Sequence, residues 1–135
     1  MVDSSAVTAG VNATAAQYNN LRQDALLAKN IIGIETDQAT VTIDWSDITK
    51  GKIRDVTLGG NRTIAFSNVA VNQSLLINPI QDATGSRTIT WPSGINWPGG
   101  TAPTLSTTAN AIDSFLIVCT ASGVYRGYFA GFGLA

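Results

Sequence analysis

The chain has 135 residues, enough for one domain with a short appendage, and only 13% of them are charged, with a formal net charge of −1. This balance excludes the basic surface of a nucleic-acid-binding protein. Such low charge is typical of surfaces covered by another subunit, although a β-surface rich in Thr, Ser and Asn explains it equally well. Because there is no histidine and only one cysteine, a Ser-His-Asp triad, a histidine or thiolate zinc site and an internal disulfide are excluded. The apolar runs are too short for a membrane span, and we expect no membrane partner.

The first 33 residues predict an arm followed by a helix. Residues 1–13 are small and polar, and we expect an extended arm that a partner must hold in place. A capping box at Thr14–Gln17 and a stop at Gly33 predict an α-helix within 14–33. Its apolar residues alternate at steps of three and four, as in a heptad seam: Tyr18, Leu21, Ala25, Ala28 and Ile32. The helix either packs on the chain's own sheet or joins symmetry mates; we favour oligomerisation because it precedes the β-domain entirely.

From residue 38 the apolar period changes to two, which predicts a β-domain over 38–135. Two runs, Lys52–Leu58 and Arg62–Phe66, flank a Gly-Gly-Asn turn and predict a hairpin. The most apolar run, Ile112–Cys119, predicts a central strand with a buried, unreactive thiol. Seven or so short strands with Gly, Asn and Pro turns predict a mainly β fold, a jelly-roll-like β-sandwich.

Two Trp-Pro pairs, at Trp91 and Trp97, bracket a turn. Proline cannot donate a hydrogen bond within a central strand, so this stretch predicts an ordered loop held by two buried or half-buried indoles. Aromatic rings with polar edges can also bind sugars. The candidate ligand-contacting aromatics are Trp45, Trp97, Tyr125 and Tyr128, although packing inside the sandwich is the simpler interpretation of each.

The carboxylates do not predict catalysis. A glycosidase needs two that face each other across a cleft, and Asp44 and Asp47 flank Trp45 without any spacing that requires this. Asp47 is more simply a turn or cap residue, and Asp113 is expected to hold a turn through backbone amides. We therefore predict no catalytic residue, no cofactor and no metal site, and a protein that is not an enzyme.

The C-terminal half, from Gly59 to Ala135, resembles the terminal β-domain of fibre and appendage proteins of tailed bacteriophages. The resemblance rests on turn and tryptophan patterns in Leu58–Phe66, Gln81–Pro92, Ile95–Leu105, Ala111–Phe115 and Gly123–Tyr125, and on Val7–Arg22 before the β-domain. It implies a homotrimer with a structural or host-binding role. A long fibre shaft is missing, so a short appendage fits better than a complete fibre.

The function implied by this resemblance is that of a structural virion protein made in the host cytoplasm. It would be a short trimeric fibre or decoration appendage, anchored to another virion protein through residues 1–13 and presenting the β-domain for host attachment. The alternative is a carbohydrate-binding module that recognises a host surface glycan. A capsid-stabilising cement protein without a host-binding role is a third interpretation.

Overall fold

The computed structural model describes residues 14–16, 32–47 and 49–134. The predicted arm and most of the predicted helix lie outside these residues, as do four of its five seam positions: Tyr18, Leu21, Ala25 and Ala28.

Nine strands form the described part of the molecule. They are β1 Ile32–Ile34, β2 Thr40–Asp44, β3 Ile53–Leu58, β4 Arg62–Ser67, β5 Ser74–Gln81, β6 Ile89–Thr90, β7 Ile95–Asn96, β8 Ile112–Ala121 and β9 Val124–Leu134. A short 3-10 turn at Pro98–Gly100 follows β7. The mainly β prediction is confirmed.

The strands form two sheets, and the chain alternates between them. One sheet has the order β1-β3-β5-β8-β9-β7 and the other has the order β2-β4-β6. As far as β6 the chain changes sheet after every strand, and neighbouring strands within each sheet are parallel. Successive strands therefore form coils like those of a β-solenoid. The antiparallel strands β8 and β9 then extend the larger sheet from β5.

This topology corrects two of the predictions. The runs expected to form a hairpin, β3 and β4, belong to different sheets, and Gly59–Asn61 carries the chain across the core. The jelly-roll-like connectivity was also wrong, because jelly rolls are antiparallel whereas five of the seven strand pairings here are parallel. Alternation shows which side chains face the core, but it does not show which strand lies alongside.

The end of the predicted helix is a third correction. Ile32 and Gly33 lie in β1, where they pair with Ile53 and Arg54 of β3. The backbone of Lys50 packs closely against Gly33, which has no side chain. A Cβ at Gly33 would lie 2.5 Å from the Lys50 carbonyl oxygen. Ile32 is therefore on a strand and cannot complete a helical seam.

Apolar side chains from both sheets form one core. Its members are Val41, Ile43, Trp45, Val56, Leu58, Ile64, Leu75, Ile77, Leu105, Phe115, Ile117, Cys119 and Tyr125. β8 lies between β5 and β9, as expected of a central strand. The Cys119 thiol is buried and lies 3.2 Å from the Ala121 carbonyl oxygen, which confirms a core position.

Candidate functional site

The Trp-Pro loop is ordered by an aromatic cluster. Trp91 and Trp97 meet edge to face with ring centroids 5.4 Å apart, and both contact Phe115 of β8, at 5.1 and 5.8 Å. The indole of Trp97 also covers Gly127 of β9, where a Cβ would lie 2.5 Å from ring atom Cε3. Both indoles are half-buried, so the prediction of a loop held by its tryptophans is confirmed.

A groove with a volume of about 260 Å³ lies beside this loop. It is lined by Ser86, Arg87, Thr88, Ile89, Trp91, Ala102, Pro103, Thr104, Leu105 and Thr107. The lining combines one indole and several aliphatic groups with hydroxyls and one guanidinium. Small-ligand sites have this composition, in which apolar walls carry a few polar groups that orient the ligand. The groove is smaller than sites for drug-sized ligands, which begin at roughly 300 Å³, so it suits one small unit such as a sugar residue.

The walls of the groove are joined by a buried glutamine. The Gln81 side-chain amide donates to the carbonyls of Arg87 and Ser106, both at 2.9 Å, and its oxygen accepts from the Arg87 N–H at 2.8 Å. Ser86 adds a backbone hydrogen bond to Thr107 at 2.9 Å. Because these bonds connect 86–87 with 106–107, the groove is held open before any ligand arrives.

The charge on the groove wall is already neutralised. Asp82 Oδ2 accepts from Nε and Nη2 of Arg87 at 3.0 and 2.8 Å, while Oδ1 accepts from the N–H groups of Thr84 and Gly85. These bonds, the one from Arg87 above all, lower the pKa of Asp82 to about 2. Since the guanidinium is paired, the groove suits a neutral ligand better than an anion.

The four predicted ligand-contacting aromatics are not brought together. Trp45 and Tyr125 are only 3% and 8% exposed and pack edge to face against Phe66, and burial raises the pKa of Tyr125. Burial therefore removes these two from the set, because neither ring has a face free for a sugar. Trp97 belongs to the loop cluster and is not among the groove-lining residues, whereas Tyr128 is exposed on β9.

The carboxylates beside Trp45 are turn residues. Asp44 accepts from the N–H and hydroxyl of Ser46 and from the Asn68 amide, and Asp47 accepts from the N–H and hydroxyl of Thr49. The hydroxyl bonds lower the pKa of both carboxyls, whereas the general acid of a glycosidase needs a raised pKa. The turn interpretation of Asp47 is confirmed.

Asp113 binds backbone amides, as predicted. It is buried at the start of β8, where its carboxylate accepts from the N–H and hydroxyl of Ser106 at 2.7 and 2.8 Å and from the Gly133 N–H at 2.9 Å. It therefore ties the groove wall to the last residues of β9.

Two further classes of site are absent from the part of the chain that the structure describes. It contains no group of three or more acidic or cysteine side chains placed to bind a metal ion. It also contains no helix that is both long and apolar enough to cross a bilayer.

The fold and the groove define a two-layer, mainly β domain. Comparison with known families gives its class: residues 42–123 match the family described as "Putative phage tail fibre C-terminal domain". The chain belongs to this family, and the predicted kinship with phage appendage proteins is confirmed. No curated protein and no solved structure matches the chain. The family is a structural one, so the protein is a structural appendage component of a phage virion.

Sequence reasoning did not find the groove. Its lining comes from two stretches, 86–91 and 102–107, that look like separate loops in the sequence. The available signal was Gln81, a polar residue at the end of an alternating strand, where the pattern places it on the core side. A polar side chain on a buried face must find partners, and here its partners are the groove walls.

Proposed function

We propose that this protein is a homotrimeric short fibre or decoration appendage of a phage particle, made in the host cytoplasm. Residues 1–13 attach it to another virion protein, and the β-domain is displayed for adhesion to the host surface. The observation that carries the proposal is the family match, which spans most of the two sheets. The low charge of the chain supports it, because subunit interfaces are depleted in charged residues.

Trimerisation matters physically because adhesion to a cell surface is multivalent. Three linked sites can exceed the affinity of one by roughly two to four orders of magnitude without any new contact. A shallow groove that binds one small unit weakly is therefore sufficient for attachment when three copies act together.

A second candidate function, carbohydrate recognition, is favoured by the groove beside Trp91. Its neutralised arginine, its hydroxyls from Thr88 and Thr104 and its indole wall match the surface of a sugar, which presents hydroxyls on its edge and C–H groups on its faces. In this candidate function, the appendage adheres to the host by binding a carbohydrate of the host surface.

Oligomeric state and cell binding test the proposal directly. Light scattering on the full chain at micromolar concentration is expected to give the mass of three copies. Labelled protein is expected to bind host cells, and an excess of unlabelled protein is expected to slow phage adsorption. A monomer would overturn the trimer. A trimer that binds no cells but whose loss lowers the heat resistance of particles would support the cement interpretation instead.

The groove can be tested by filling it. Thr104 is exposed and lines the groove, so Thr104→Trp places a bulky ring there without removing core packing. On an array of bacterial surface polysaccharides, this variant is expected to lose binding by about tenfold or more, which corresponds to roughly 1.4 kcal/mol. Thr42→Trp, on the exposed side of β2, is the matched control and is expected to bind like wild type. Equal binding by both variants, or none by wild type, would overturn carbohydrate recognition at the groove.

A further inference from the structure

Exposed apolar side chains are concentrated on two strands of the larger sheet. Eight large apolar side chains in the described ranges are exposed, and Val71, which precedes β5, is the one that lies elsewhere. The seven on β1 and β9 are Ile32, Ile34, Val124, Tyr128, Phe129, Phe132 and Leu134, with exposed fractions from 39% to 73%. Single exposed apolar residues are ordinary, whereas a contiguous group of them marks an interaction site.

Strand β9 has an open edge. β7 covers it only at Tyr125 and Arg126, so within the described chain no strand pairs with the outer edge of 127–134. This stretch has no charged residue and no proline, which are the usual protection of a free sheet edge. On the face of the sheet away from the core, Tyr128 and Leu134 pair with Leu116 and Ile112 of β8, and both are exposed, so this edge is apolar.

Strand β1 is the opposite edge of the same sheet. Its sequence, Ile32-Gly33-Ile34, is also uncharged, and among the described strands it pairs with β3 alone. β1 and β9 run in the same direction, because β1, β3 and β5 are parallel and the two antiparallel steps, to β8 and then to β9, restore that direction. The two edges are therefore both apolar and uncharged, and their strand directions allow parallel pairing.

We propose that the open edge of β9 in one copy binds the β1 edge of the next copy, head to tail, and that three such contacts close the ring. This inference rests on the homotrimer of the proposed function. A contact between two different surfaces of the same chain generates a closed ring when the rotation between copies closes. Strand addition at the edge pairs the free N–H and C=O groups of β9, and it places the isoleucines of β1 beside Tyr128 and Leu134, because the register puts all four on the face of the sheet away from the core.

Cross-linking tests the pairing of the two edges. The double variant Ile34→Cys with Leu134→Cys, treated with a short bis-maleimide at low protein concentration, is expected to give covalent species that stop at three copies. Each single variant is expected to give none, because head-to-tail packing brings different residues together. The wild type is the background control, since its Cys119 is buried.

Charge substitution tests the energetic role of the same edge. Leu134→Lys is expected to convert trimers into monomers, as judged by light scattering, because a lysine in the contact would be buried without a partner. Val71→Lys is the matched control, exposed to a similar degree but away from both edges, and is expected to remain trimeric. Circular dichroism checks folding, and Tyr128→Lys replaces Leu134→Lys if that variant does not fold.

The outcomes separate this inference from the proposed function. A homotrimer that survives Leu134→Lys and Tyr128→Lys and gives no double-variant cross-link overturns the edge contact and leaves the homotrimer standing. Dimers from a single-cysteine variant overturn head-to-tail packing, because they require a two-fold axis. A wild-type monomer overturns both. If the lysine variants remain trimeric but no longer capture another virion protein, the edge is assigned to that protein instead.

Discussion

Arg54 is the residue on which the region around β1 depends. Its side chain is 1% exposed, yet every part of the guanidinium is paired: with Glu35 at 2.7 Å, and with the carbonyls of Gly51, Asp44 and Asp47. Through these bonds one charged group connects β1, β3 and the loop after β2. In the sequence Arg54 looks like an isolated surface charge, because the partner that neutralises it lies nineteen residues earlier.

We expect Arg54→Met to destabilise the fold by about 3–5 kcal/mol, because it leaves a buried Glu35 with Lys50 as its remaining ionic partner. Urea unfolding followed by circular dichroism measures the loss. Arg62→Met is the control: Arg62 binds Asp37 at the surface, where water screens the pair, and a much smaller change is expected. Equal effects of the two substitutions would show that the Arg54 cluster has no special role.

At the scale of elements, the alternating pattern predicted the strands well and their partners badly. Buried residues of β2 and β3 fall at alternate positions, as the period of two requires. The assignment of β3 and β4 to a hairpin failed because parallel coils pair residues that are distant in the chain, and the turn between them gives no local sign of crossing the core. The Trp-Pro loop was predictable because proline restricts the backbone whatever surrounds it.

The packing of this loop on β9 predicts the effect of a single methyl group. Gly127→Ala would push a Cβ into the ring of Trp97, which is already held against Trp91, and should cost about 1–3 kcal/mol. Thermal unfolding and the tryptophan emission spectrum measure the change. Gly131→Ala, on the same strand, meets only the flexible end of Leu134 at 3.3 Å and is expected to be neutral or mildly stabilising. An unchanged melting temperature for Gly127→Ala would contradict the close packing.

For the whole molecule, the free energy of unfolding is expected to decrease at acidic pH. Hydrogen bonds from Arg62, Ser46, Thr49 and Arg87 lower the pKa of Asp37, Asp44, Asp47 and Asp82 respectively below the ordinary 3.8. A carboxyl whose pKa is lower in the folded state than in the unfolded state stabilises the fold. This contribution is complete at pH values above the unfolded-state pKa. That contribution disappears as the pH falls from about 4 toward 2.

We therefore expect the urea midpoint to be constant from about pH 7 to pH 5 and to fall below pH 4. Asp82→Asn should be less stable than wild type at neutral pH and should lose less on acidification, since its pairing with Arg87 no longer titrates. Parallel acid profiles for the two proteins would show that Asp82 does not contribute.

The pairing of β5 with β8 has a consequence for synthesis of the chain. β5 ends at Gln81, but the strand that covers its edge begins only at Ile112. While a ribosome makes the intervening stretch, the emerging coils carry a sheet whose next strand has not yet been translated. A nascent chain that pauses there exposes the unpaired edge of β5 to other nascent chains on the same messenger RNA. Rapid translation or chaperone binding at this point should therefore raise the yield of assembled appendages.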